Sequence, residues 1–107
     1  MILKRLLTRQ QEAILRLLIR TNPVSVDRII WVLWSDNANG PPRTAINTVR
    51  VQICYMRQAL APYGVNIRTC HGDGYTVDPA DHHKARALLA EMPLVRVRDR
   101  QPKRRAA

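Results

Sequence analysis

Arg43, Asn47, Arg50 and Gln58 lie within residues 43–60, a stretch that contains no carboxylate. Their planar amide and guanidinium groups carry donors and acceptors that match base edges. A carboxamide suits adenine, and a guanidinium suits guanine or a phosphate oxygen. Thr44, Thr48, Cys54 and Tyr55 add smaller polar groups, Val51 and Tyr55 offer apolar surface to a thymine methyl or a sugar, and Arg57 adds a third cation. With nothing present to repel phosphate, this set has the chemistry to read duplex DNA in the major groove. The competing reading is an amphipathic helix whose polar side meets only water.

These side chains converge only if the stretch is helical. Ile46, Val49, Ile53, Met56 and Leu60 recur in steps of three and four, which lays one apolar stripe toward a core. Thr44, Asn47, Thr48, Val51, Cys54, Tyr55 and Gln58 fall on the opposite side, with Arg43, Arg50 and Arg57 at the start and flanks.

The whole chain fits a polyanionic partner. Its formal net charge is +10 and its pI about 11.0, and residues 1–80 and 81–107 each contribute half of that excess, so the charge is not only a tail property. With 107 residues, 46% of them apolar, one modest core and one folded domain are expected. The longest apolar runs, near Ala13–Ile19 and Ile29–Trp34, fall far short of a bilayer span, and the first residues lack a signal-peptide pattern. A cytoplasmic, nucleoid-associated protein with no membrane partner is expected.

Two cysteines do not make a disulfide framework. Cys54, Cys70, His71, His82 and His83 fit no common zinc-ligand spacing. No carboxylate pair, Ser/His/Asp set or glycine-rich phosphate loop stands out. Neither catalysis, nor a metal, nor a cofactor is therefore expected.

Along the chain, Met1–Leu7 is either a short strand or an extended lead-in. Thr8 and Gln11 have capping-box spacing and start a helix that buries Ala13, Ile14, Leu17 and Leu18, with Leu15 a further candidate, and leaves Arg9, Glu12, Arg16 and Arg20 wet. Asn22-Pro23 stops it. Ser25 caps a second helix with Asp27 near its positive end and Ile29, Ile30, Leu33 and Trp34 inside. Trp31 is assigned to the core as well. Ser35–Pro42 is dense in turn formers and forms a loop, and Ala61–Gly64 closes helix 43–60, with Gly64 supplying a positive φ. Val65–Cys70 and Tyr75–Asp78 form a hairpin around His71–Gly74, where Gly72 and Gly74 are expected to adopt unusual φ.

The order helix, helix, helix, hairpin is that of a winged helix-turn-helix, mostly α with a small β-hairpin, a three-helix core and a wing. The expected boundaries are a winged-helix domain at 1–80, an extra C-terminal helix at 81–93 capped by Asp81, and a basic disordered tail at 94–107. In the tail, six basic residues between Arg96 and Arg105 serve as a phosphate-contacting arm, a polymer-binding extension or a solubilising end.

The residues themselves resemble the effector domains of the OmpR/PhoB response regulators. Leu7-Thr8 with Gln11 and Ile14, Leu15, Leu17 and Leu18 is similar to the opening helix of that family. Val24-Ser25 through Ile29-Ile30 to Leu33-Trp34 is similar to its second helix, and Thr48-Val49-Arg50-Val51-Gln52-Ile53-Cys54-Tyr55-Met56-Arg57-Gln58-Ala59-Leu60 to its recognition helix. Ile67-Arg68-Thr69 with Gly72, Gly74 and Tyr75 resembles its wing.

The likeness runs from Leu7 to Asp78 and implies sequence-specific binding of double-stranded DNA by a transcription regulator, bacterial or phage. It adds Arg68 and His71 of the wing to the DNA-contacting set. It also implies contact between the 35–42 loop and RNA polymerase, and an effector standing without a receiver domain. Cys54 and Tyr55 replace two arginines of the family pattern, Arg50 replaces an aspartate, and His71 replaces the arginine that reaches a minor groove. A homodimer is a further expected partnership, either head to tail on direct repeats or through Leu88, Leu89 and Met92 of the last helix. The alternative function is a winged-helix protein-interaction module with only non-specific DNA affinity. A single-strand or RNA binder would want a row of exposed aromatics, which the scattered Trp31, Trp34, Tyr55, Tyr63 and Tyr75 do not make.

Overall fold

The computed structural model describes residues 3–20, 23–70 and 74–96. Thr8 and Gln11 close a reciprocal cap: the Gln11 amide donates to Thr8 Oγ1 at 3.1 Å and the Thr8 amide donates to Gln11 Oε1 at 3.0 Å. From that cap runs α1, Arg9–Arg20. It lies at the centre of the fold, touching the three other helices and a wing strand. Ile14, Leu15 and Leu18 are fully buried, Leu15 as completely as its neighbours. Glu12, expected to be wet, is buried too. Its carboxylate is held by Arg5 and lies 3.9 Å from Arg16, so the burial of charge is offset by pairing.

Ser25 has an extended backbone and its Oγ accepts from the Arg28 amide at 3.1 Å, capping α2, Val26–Trp34. The third helix, α3, spans Ala45–Leu60. Arg43 and Thr44 form a turn before it rather than its first residues, and the Thr44 side chain makes no capping bond. Val49, Ile53, Met56 and Leu60 are buried as their spacing requires, with Ala45 in place of Ile46, which is 49% exposed. A 3-10 turn at Ala61–Tyr63 ends on Gly64, whose φ of 78° is left-handed and favours glycine.

The short strands β1 (Leu3–Arg5) and β2 (Val24–Ser25) precede the wing strands β3 (Ile67–Cys70) and β4 (Gly74–Val77). The wing register pairs Ile67 with Val77 and Cys70 with Gly74, and β2 lies antiparallel on the other side of β4, giving the order β2-β4-β3. That third strand explains Gly74 better than a turn does. A Cβ there would meet the Val24 carbonyl oxygen at 3.1 Å, and Gly74 has no positive φ.

The last helix, α4, spans Pro79–Ala90 and starts after Asp78, not at Asp81, with Pro79 in its first turn. Asp81 is buried within that turn and accepts the Asn66 amide at 3.1 Å, which ties α4 to the approach of the wing. Leu88 is buried, and Leu89 and Met92 pack half-buried on the same core. Finally β5, Leu94–Arg96, pairs antiparallel with β1, Leu3 opposite Arg96. These three residues, expected to open a disordered tail, belong instead to a two-stranded sheet. Residues 97–107 lie outside the described part.

Candidate nucleic-acid interface

The outward side of α3 carries Asn47, Arg50, Val51, Cys54, Tyr55 and Gln58, all exposed, with Thr48 half-buried at its edge. At 3.6 residues per turn, Asn47, Val51, Cys54 and Gln58 line up opposite the buried Val49, Ile53 and Met56. Among the described residues, the side chains of Arg43, Asn47, Arg50 and Gln58 make no hydrogen bond, so their donors and acceptors are available outward.

Arg57 does something else. Its Nε donates to the Ile67 carbonyl at 3.0 Å, its Nη2 donates to Thr69 Oγ1 at 2.9 Å, and its guanidinium sits 5.8 Å from the centre of the Tyr75 ring. Read from spacing as a DNA contact, it is engaged by the wing, with its plane fixed by two hydrogen bonds and a cation–π contact. Arg68 on β3 is likewise committed, to Asp78 at 2.8 Å. Both groups are exposed, so this pair contributes little to stability, but it sets the one arginine of the 65–78 hairpin against a carboxylate. His71 lies outside the described residues.

Gln52 was not in the expected set. It is half-buried on the α1 side of α3, where its Oε1 accepts from Gln11 Nε2 at 2.7 Å and its Nε2 donates to Gln10 Oε1 at 3.2 Å. Gln11 therefore serves both the cap of α1 and the seating of α3. Its partner is 41 residues away, and no local spacing announces such a bond.

The other departure is Trp31. It is 69% exposed, against the core assignment, and stands beside an open cleft of about 290 Å³ lined also by Asp27, Ile30, Trp34, Ser35, Asn37, Gly40 and Pro41. Trp34 is half-buried against the core, as its spacing suggests.

Unpaired amides and a guanidinium, among the described residues, thus line one exposed face of α3 in a fold that also holds the β2-β4-β3 sheet. A family model described as "Transcriptional regulatory protein, C terminal" matches residues 4–77. The chain belongs to this family. The C-terminal transcriptional regulatory domain, of the OmpR/PhoB type, is a winged helix-turn-helix of the DNA-binding regulatory class rather than an enzyme class. In this chain it is mostly helical, with small antiparallel sheets. Neither the curated proteins nor the solved structures give a match. Among the described residues no helix is long and apolar enough to cross a membrane, and no group of three His, Cys, Asp or Glu side chains is placed to hold a metal ion.

Proposed function

We propose that this transcriptional regulatory domain binds double-stranded DNA sequence-specifically, with α3 and the preceding Arg43-Thr44 turn in the major groove and the 65–78 hairpin as a wing along the backbone. The observation that carries this is the outward face of α3: free amides and Arg50 with no carboxylate between residues 43 and 60. Base contacts fall to Asn47, Val51, Cys54 and Gln58, phosphate or guanine contacts to Arg43 and Arg50, and sugar-phosphate contacts to Thr44, Thr48 and Tyr55. Arg57 acts chiefly by holding the wing, and contacts to the backbone or the minor groove are assigned to Arg68 and His71. Replacing Asn47 and Arg50 together with alanine tests the reading. Loss of binding to a selected duplex with an unchanged melting temperature supports it, and retained specificity overturns it.

A second reading, a protein-interaction module, is favoured by one observation, the exposed Trp31 over its cleft beside the α2–α3 loop. The two readings combine if this surface, with residues 35–42, touches RNA polymerase while α3 holds DNA. Homodimerisation is better served by head-to-tail contact on repeated sites than by α4, whose Leu88, Leu89 and Met92 are largely taken up by the core.

A further inference from the structure

We propose that the centre of the interface reads A·T pairs, with Asn47 on an adenine and Val51 on the methyl group of a thymine at a neighbouring position. This rests on the reading of α3 as a groove-binding helix and deepens it.

The outermost line of α3 is Asn47, Val51, Cys54, Gln58: a carboxamide, an aliphatic group, a thiol and a second carboxamide, all exposed. No guanidinium lies on that line. Arg57 is drawn to Ile67 and Thr69 of the wing, and Arg50 leaves the helix roughly 75° away from the line. The side chain best suited to guanine is therefore on the flank, where phosphates and outer bases lie. The groups on the line match the adenine N6/N7 pair and the thymine C5-methyl.

Val51 is 48% exposed. A branched apolar group left in water on a DNA-facing helix gains most by covering a methyl group, and only thymine presents one in the major groove. Asn47 and Val51 are one helical turn apart, about 6 Å, which spans neighbouring base pairs. Cys54 between Val51 and Gln58 is small enough to let the helix approach closely.

The test uses the full chain. Random duplexes are selected at about physiological salt, and the best is remade with uracil for single thymines, which removes only the methyl, or with 7-deazaadenine for single adenines, which removes only the N7 acceptor. A·T pairs are expected at adjacent core positions. Uracil at one position should weaken binding about four-fold, the worth of one buried methyl, and the analogue at the other about ten-fold. Each effect should vanish in one variant alone, the first in Val51→Ala and the second in Asn47→Ala, both with unchanged melting temperature. A motif whose core is G·C, or base-analogue effects that persist in both variants, would overturn the A·T assignment and leave groove binding standing. Selection of no motif at all would remove both.

Discussion

Arg57, in the last turn of α3, and Thr69, in the middle of β3, are joined by a 2.9 Å hydrogen bond from Nη2 to Oγ1. With the second bond, to the Ile67 carbonyl, and the Tyr75 ring, it ties the last turn of α3 to both strands of the wing. Arg57→Lys keeps the charge but loses the planar fork that reaches both acceptors. Its expected cost is about 1 kcal/mol in stability, with faster amide exchange across Ile67–Cys70 and no exchange change in α1. Unchanged exchange in β3 would show that the wing is held by its own ladder alone.

Asp81 and Asn66 form a second tie at the start of the wing, next to Ile67. Asp81→Ala removes the acceptor of a backbone N–H beside a buried position, and a loss of about 1–3 kcal/mol is expected in chemical unfolding. Asp81→Asn, which retains an oxygen acceptor, should recover part of it. Equal losses in the two variants would assign the effect to the charge and not to the hydrogen bond.

The Gln11–Gln52 bond bridges α1 and α3 at 2.7 Å. Gln52→Ala leaves the Gln11 amide without its acceptor, at an expected cost of about 1 kcal/mol. Gln11→Ala should cost more, because it also opens the reciprocal cap with Thr8. Thermal melts of the two single variants and the double variant measure this, and additive losses would deny the coupling.

Much of this architecture was legible where interactions are local. The Thr8/Gln11 cap, the Ser25 cap, the Gly64 turn and the hairpin each arise within a few residues, and the stripe from Val49 to Leu60 follows from helical period alone. What could not be read joins distant parts of the chain: Arg5 with Glu12 beneath it, Gln52 with α1, Asp81 with Asn66, β2 against β4 and β5 against β1. Strands of two or three residues have too little period to announce themselves. Ile46 lies at the edge of the apolar stripe, and Ala45 takes the buried place in the first turn of α3. Trp31 is exposed because its wheel position is on the far side of α2 from the buried Val26 and Ile29, which outweighs the general preference for burying tryptophan. In the site, the outward set on α3 was visible from type and spacing, but the diversion of Arg57 to the wing was not.

Trp31 supplies a test of the partner surface. Trp31→Ala should change stability by no more than about 0.5 kcal/mol, since the side chain is mostly in solvent, and should leave DNA affinity unaltered. If this surface meets polymerase, transcription from a bound promoter should fall. Transcription unaffected by both this variant and replacement of residues 35–42 would remove that contact.

Cys54, exposed on the outward line of α3, reports directly on whether this face meets DNA. The decisive experiment is alkylation of Cys54 by a maleimide with and without a selected duplex, at about physiological salt, in the full chain and in a chain truncated after Arg96. Protection by the selected duplex but not by a scrambled one, in both chains, and loss of specific binding once Cys54 is modified, is the expected result. Equal modification with and without the selected duplex, while binding persists, would contradict groove reading by α3 and leave the basic charge as the source of any DNA affinity.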